Sequence, residues 1–190
     1  MPLLDYNYLK RHISNIDLYK NCFVETGTYM GTTINNLEPY FSELHTVEIK
    51  ESYYNRAKNI YKGDKITFHL GDSSDELIGI CKSLENNTIF FLDGHWSSGG
   101  TGRGKKDCPL YEELDAIIEN FKYKAVIVID DVRLFGKGPN KKNEICNWEE
   151  INVEDILEIV KDRITKHYFL PSELNKEDRL VIHISKMSAF

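Results

Sequence analysis

Long apolar runs are missing from this sequence. None approaches the roughly 20 residues that span a bilayer, so a membrane is not expected as a partner. The opening residues Met1 to Asp5 lack a basic start and an apolar core, so no signal peptide is read there. Cysteine is scarce: the four present, Cys22, Cys81, Cys108 and Cys146, show no C-x-x-C spacing. That pattern points to neither a zinc site nor a disulfide framework, and it fits a reducing compartment. Positive charge is not in excess either. A net charge of −6 without a basic stripe leaves no electrostatic footprint for nucleic acid. Internal repeats, low-complexity tracts and linkers are absent. The expectation is a cytoplasmic protein whose partner is a small molecule, with assembly into a homo-oligomer left open.

What is present is an ordinary globular balance. The 190 residues are 41% apolar and 28% charged and suit one domain over residues 1–190. Leu4, Tyr8 and Ile13 fall roughly on one side of a short helix within 4–14, so residues 1–20 read as a helical cover. Strands read at 22–25, 44–49, 66–70, 89–92, 125–129, 166–170 and 179–185. Helices follow the first five: one from about Gly31 to before Pro39, one over 52–61, and one capped by Ser73 or Ser74. The fourth starts at Pro109, and the fifth spans 153–164 with Asn152 and Asp155 at its start. Such alternation implies a mostly parallel sheet covered on both faces. The last two strands have no helix between them and should pair as an antiparallel hairpin. The expected fold is α/β, a Rossmann-like sheet of about seven strands.

The stretch from Phe23 to Thr33 organises the rest. An apolar strand reaches Glu25, turns at Gly27 and opens into a helix whose first N–H groups lack partners. This is the usual nucleotide-binding corner of an open α/β sheet. The spacing G-x-x-x-G and the preceding acid are not those of the dinucleotide fingerprint. Glu25 would repel a pyrophosphate and suits a cationic ligand, which S-adenosylmethionine is. Each predicted parallel strand carries an acid at or just past its end: Glu25, Glu48, Asp72, Asp93, and Asp130 with Asp131. So much negative charge on one rim costs repulsion unless cations are present. Glu48 stands where an acid can accept hydrogen bonds from both ribose hydroxyls. Asp72 and Ser73 can contact the adenine amine, although a helix cap explains Ser73 equally well. Asp93, Asp130 and Asp131 can converge on one ion, and such hard oxygen donors favour Mg²⁺, or else Mn²⁺ or Ca²⁺. Caps on local backbone are the alternative for Asp130 and Asp131.

At this point the residues resemble a family. Val24-Glu25-Thr26-Gly27-Thr28-Tyr29-Met30-Gly31-Thr32 is similar to the first motif of the small class I S-adenosylmethionine-dependent O-methyltransferases, the metal-dependent type that includes the catechol and macrolide-sugar enzymes. Val47-Glu48-Ile49 resembles their ribose-binding strand, Leu70-Gly71-Asp72-Ser73 their adenine-side turn, and Phe91-Leu92-Asp93 their metal strand. Ile129-Asp130-Asp131-Val132 resembles their second pair of metal ligands, and residues 178–183 their closing strand. The resemblance implies a cofactor site made by Glu25, Thr26, Gly27, Thr28, Gly31, Thr32, Glu48, Ile49, Asp72, Ser73, Asp93 and Trp96. It also implies metal ligation by Asp93, Asp130 and Asp131.

One departure stands out: Ser97 and Ser98 lie where the catechol enzymes carry a lysine base. His95 is then the candidate base, because its ordinary pKa lies near working pH; Lys105 or Lys106, or the metal acting alone, are the alternatives. Residues 97–107 are also longer and richer in glycine than the catechol pattern. The expected activity is methyl transfer to a hydroxyl of a small acceptor, a sugar or glycan precursor among them. A cofactor-binding scaffold without activity is the second reading. An NAD-dependent dehydrogenase is the third, disfavoured by the missing G-x-G-x-x-G.

Overall fold

The computed structural model describes residues 4–188. The parts of the expected domain and cover at residues 1–3 and 189–190 lie outside the described residues. Seven strands form one sheet: β1 (Cys22–Thr26), β2 (Glu43–Glu48), β3 (Ile66–Leu70), β4 (Thr88–Leu92), β5 (Ala125–Ile129), β6 (Ile164–Leu170) and β7 (Arg179–Ile184). Their order is β3-β2-β1-β4-β5-β7-β6. β1 to β5 run parallel, and β7 lies antiparallel between β5 and β6. This is the mostly parallel, Rossmann-like sheet expected from the sequence, with its C-terminal antiparallel hairpin.

The strand sequences explain the layering. β4 (TIFFL) and β5 (AVIVI) are buried throughout, as strands covered on both faces must be. Alternate residues feed opposite layers. Ala125, Ile127 and Ile129 join the layer that holds α4 (Ser73–Ser83), α5 (Leu110–Asn120) and α6 (Val153–Ile159). Val126 and Val128 join the other layer, with α1 (Tyr6–His12) and α2 (Thr32–Leu37). Leu4, Leu9, Ile13 and Ile16 of the N-terminal segment pack into that second layer. α3 (Glu51–Ile60) lies at the β2–β3 end and buries only Ala57.

Two local readings need correction. α6 stops at Ile159 rather than Ile164, because Ile164 pairs with Ile184 and strand pairing outweighs the helical pattern. The cap of α4 is Asp72, whose carboxylate accepts the Ser74 N–H at 3.2 Å; neither Ser73 nor Ser74 holds that place.

Between α6 and β6 sits the buried Arg163. Its guanidinium donates to the carbonyls of Ile118 (3.0 Å), Phe121 (2.6 Å), Tyr123 (2.9 Å) and Ser185 (2.9 Å). It thereby caps the C-terminal end of α5, where a cation is favoured, and ties the tail after β7 to the start of β5. Removing it strands several buried carbonyls. Arg163→Ala should cost about 2 kcal/mol or more in urea denaturation, since each hydrogen bond to a charged group contributes about 1.5–3 kcal/mol. A loss well under 1 kcal/mol would contradict this role.

Candidate functional site

The sheet's strand order reverses between β1 and β4, and a crevice opens there at the carboxyl ends of the strands. The two chains leaving the crevice pass unusually close. Gly27 has φ +85°, and a Cβ on it would stand 2.5 Å from the Asp93 carbonyl oxygen. A Cβ on Gly94 would meet Glu113 Oε1 at 2.7 Å and Thr26 Oγ1 at 2.8 Å. Only glycine satisfies both positions without displacement. The turn after Gly27 is then pinned to β2: the N–H groups of Gly27 and Thr28 donate to the Val47 carbonyl at 2.9 and 3.2 Å.

Glu48 ends β2 beside this turn. Its Oε2 accepts the Tyr29 N–H and its Oε1 the Lys50 N–H, each at 2.8 Å. Gly27, Glu48, Ile49, Asp72, Ser73 and Trp96, six of the expected cofactor residues, line one cavity of about 330 Å³. His95 opens on the same cavity. The glycine-rich segment 97–104 forms part of the wall and is tied down. Lys50 Nζ donates to the Gly100 carbonyl, and Lys105 N–H donates to Asp72 Oδ2 at 3.3 Å. Lys105 Nζ also pairs with Asp75 at 2.7 Å. Asp72 thus spends one oxygen on the α4 cap and the other on this segment.

The remaining expected cofactor residues lie around the cavity rather than on its wall. Glu25 is buried beneath the turn and accepts the Thr46 hydroxyl at 2.8 Å; Thr46 and Thr28 hydroxyls meet at 2.5 Å. Burial pushes the Glu25 carboxyl up to about 8, so it holds its proton at neutral pH. The expectation that it presents a negative charge to a ligand is corrected accordingly. Thr26 Oγ1 accepts the Asp93 N–H at 3.2 Å. Gly31, at φ +71°, starts α2 with its open side toward Asn35 and Ala57, and Thr32 is exposed.

The expected metal ligands divide. Asp130 is buried and its Oδ1 accepts Nε–H of the buried Arg179 at 3.1 Å. Asp131 and Asp178 both accept from Arg133 Nη1, Asp178 at 2.7 Å. Donor atoms within 4.8 Å of one another form two groups here: Asp93/His95/Asp131 and Asp130/Asp131/Asp178. The second already has two arginines on its carboxylates. The first includes an imidazole, which is not the all-oxygen set that Mg²⁺ or Ca²⁺ takes. The residues therefore do not fit Mg²⁺ in the expected Asp93/Asp130/Asp131 arrangement.

His95 occupies the space between two acids. Nδ1 lies 3.4 Å from Asp93 Oδ1, and Nε2 lies 3.4 Å from Asp131 Oδ2 and 3.0 Å from Ser97 Oγ. Trp148 meets the ring edge-on, 4.8 Å between centroids. Burial lowers the imidazole pKa and outweighs the opposing pull of Asp131, which keeps the ring neutral near neutral pH. Asp93 moves the other way: burial first, then Asp130 and Asp131, raise its carboxyl well above the usual range.

Sequence reasoning missed Arg133, Asp178 and Arg179, whose partners come from distant segments. It also missed Glu113, which did leave a signal. An acid standing at i+3 from Leu110 and beside Leu114 breaks the apolar stripe of α5. Burial raises its carboxyl to about 7, under Gly94 and near Ser73 and Thr26.

No protein-family model and no curated protein matches the chain. Solved structures do. The O-methyltransferase TomG of Streptomyces achromogenes, solved with S-adenosylmethionine, aligns over 88% of this chain and 74% of its own, with 16% identity and TM-score 0.61. The N-methyltransferase NodS of Bradyrhizobium japonicum aligns over 97% and 100%, with 11% identity and TM-score 0.57. A Mesorhizobium loti S-adenosylmethionine-dependent methyltransferase aligns over 94% and 95%, with 10% identity and TM-score 0.57. The fold is thus the one these methyltransferases share, O- and N-directed alike.

Glu25 offers a test of the site's electrostatics. The unfolded chain loses this proton in the ordinary carboxylate range, whereas the folded chain holds it to about 8. Wild-type stability should therefore decline across that interval as pH rises. Glu25→Gln removes the titration, so urea denaturation should show the variant gaining on the wild type between about pH 5 and about pH 8. An equal difference at both values would mean that Glu25 is ionised when folded.

Proposed function

We propose that this chain transfers a methyl group from S-adenosylmethionine to a hydroxyl of a small molecule, of the sugar or glycan-precursor type, with His95 as general base. The observation that carries this reading is that Glu48 and His95 open on the same cavity, at the reversal of a sheet whose fold methyltransferases share. The cofactor supplies a methyl group on a sulfonium, ready for in-line displacement. The chain's work is to align the partners and to remove the acceptor's proton.

Glu48, fixed by two backbone N–H groups, keeps lone pairs on both oxygens for the ribose hydroxyls. Ile49 and Trp96 line the wall on which an adenine ring would lie. His95 is neutral and takes the hydroxyl proton on a ring nitrogen as the acceptor oxygen becomes nucleophilic. Asp131, 3.4 Å from Nε2, stabilises the resulting imidazolium. No step is routed through a metal, because Arg179 and Arg133 already engage Asp130 and Asp131.

His95→Gln should lower turnover about 10²–10⁴-fold while S-adenosylhomocysteine affinity stays within a few-fold. Wild-type kcat should rise with pH through a midpoint below the ordinary imidazole range, because burial depresses the His95 pKa. A variant that keeps most of its turnover in a methyl-transfer assay would remove His95 from the mechanism.

A further inference from the structure

At the opposite end of the sheet, where the parallel strands begin, another group of potential ligands comes together. Cys22 opens β1 and Glu43 opens β2, and the two are register partners. His45 stands two residues along β2, on the same face. The Cys22 Sγ, a Glu43 carboxylate oxygen and a His45 ring nitrogen all lie within 4.8 Å of one another. Spacing along the chain gives no hint of this, since the donors come from two strands separated by α2.

We propose that Cys22, Glu43 and His45 form a binding site for a borderline divalent ion of the Zn²⁺ class, independent of the methyl-transfer reading. A thiolate, an imidazole and a carboxylate are the donors that such an ion takes, with the thiolate selecting against Mg²⁺ and Ca²⁺. Glu43 is half-exposed, so a water can complete a tetrahedron from the solvent side.

The surroundings extend outward as the second layer of a metal site does. His45 Nε2 lies 3.0 Å from Glu43 Oε1, and His45 Nδ1 lies 3.0 Å from His69 Nε2. His69 Nδ1 in turn lies 3.8 Å from Glu76 Oε2. The first two are hydrogen bonds, and the third, at 3.8 Å, is a longer ion-pair contact. An ion between His45 and Glu43 would take the Nε2 lone pair of His45. His45 then donates from Nδ1 to His69, and His69 donates from Nδ1 toward the Glu76 carboxylate. A ligand histidine whose other N–H leads to a carboxylate is the usual support of such sites. Binding releases the Cys22 thiol proton to solvent and moves the His45 N–H from Nε2 to Nδ1. The ion would clasp the first residues of β1 and β2 on the face that α4 covers.

Co²⁺ titration of the full-length, reduced, metal-free protein tests the proposal. A thiolate-to-cobalt charge-transfer band should grow in the near ultraviolet, saturate at one equivalent, and be displaced by Zn²⁺. The Asp93/His95/Asp131 group has no thiol and cannot produce that band. Cys22→Ser should abolish it, and His69→Gln should weaken Co²⁺ binding about 10–100-fold. Glu43→Gln, at a half-exposed position that leaves the core intact, should also weaken binding. Absence of the band at saturating Co²⁺, or a band unchanged in Cys22→Ser and Glu43→Gln, would overturn the proposal.

Discussion

The close passage of the β1 and β4 backbones governs this structure. Five parallel strands must diverge in sequence order on either side of one crevice, and the chains leaving it cross within contact distance. Gly27 against the Asp93 carbonyl leaves no room for a Cβ, and Gly94 is wedged between Thr26 and Glu113. From that constraint follows the left-handed turn at Gly27. The anchoring of the turn to Val47 and Glu48 follows in its turn, as does a cavity floor made of backbone. The walls around that floor carry Glu48, Ile49, His95 and Trp96.

The charge on the rim is managed from within. Five strand ends carrying acids would repel one another if all were ionised and unpaired. The protein uses two devices. Burial holds the proton on Glu25 and raises the carboxyls of Asp93 and Glu113, while Asp130, Asp131 and Asp178 face Arg179 and Arg133. His95 sits between Asp93 and the Asp131 carboxylate, its ring held by Trp148 and Ser97.

The sheet and its hairpin were legible because their signals are local. Apolar runs such as residues 89–92 and 125–129 can only be doubly covered strands, and the missing helix before residue 179 dictates an antiparallel return. Glu48 and Ile49 were legible for a similar reason, since an acid closing the second strand reaches the crevice whatever the loops do. The partners of Asp130 and Asp131 were not legible. Arg179 approaches from a strand inserted between β5 and β6, and Arg133 joins Asp131 of its own loop to Asp178 of the β6–β7 turn. No pattern of spacing marks such pairs. The α6 boundary failed for a related reason, as the pull of β7 on Ile164 is invisible to helical periodicity. Glu25 was read as a charge because a strand-end acid is usually solvated. Its burial depends on Thr46 and Thr28 closing over it from the neighbouring strand and turn.

The central claim is that the crevice binds an adenosyl cofactor through Glu48 rather than a dinucleotide through its pyrophosphate. Calorimetric titration tests it directly, with S-adenosylmethionine, S-adenosylhomocysteine and NAD each added to the wild type and to Glu48→Ala. The account predicts one-to-one binding of both adenosyl ligands and none of NAD. It also predicts affinity lower by about 1.5–3 kcal/mol in the variant, the range for hydrogen bonds to a charged group. Binding of NAD, or adenosyl affinity unchanged in Glu48→Ala, would contradict it.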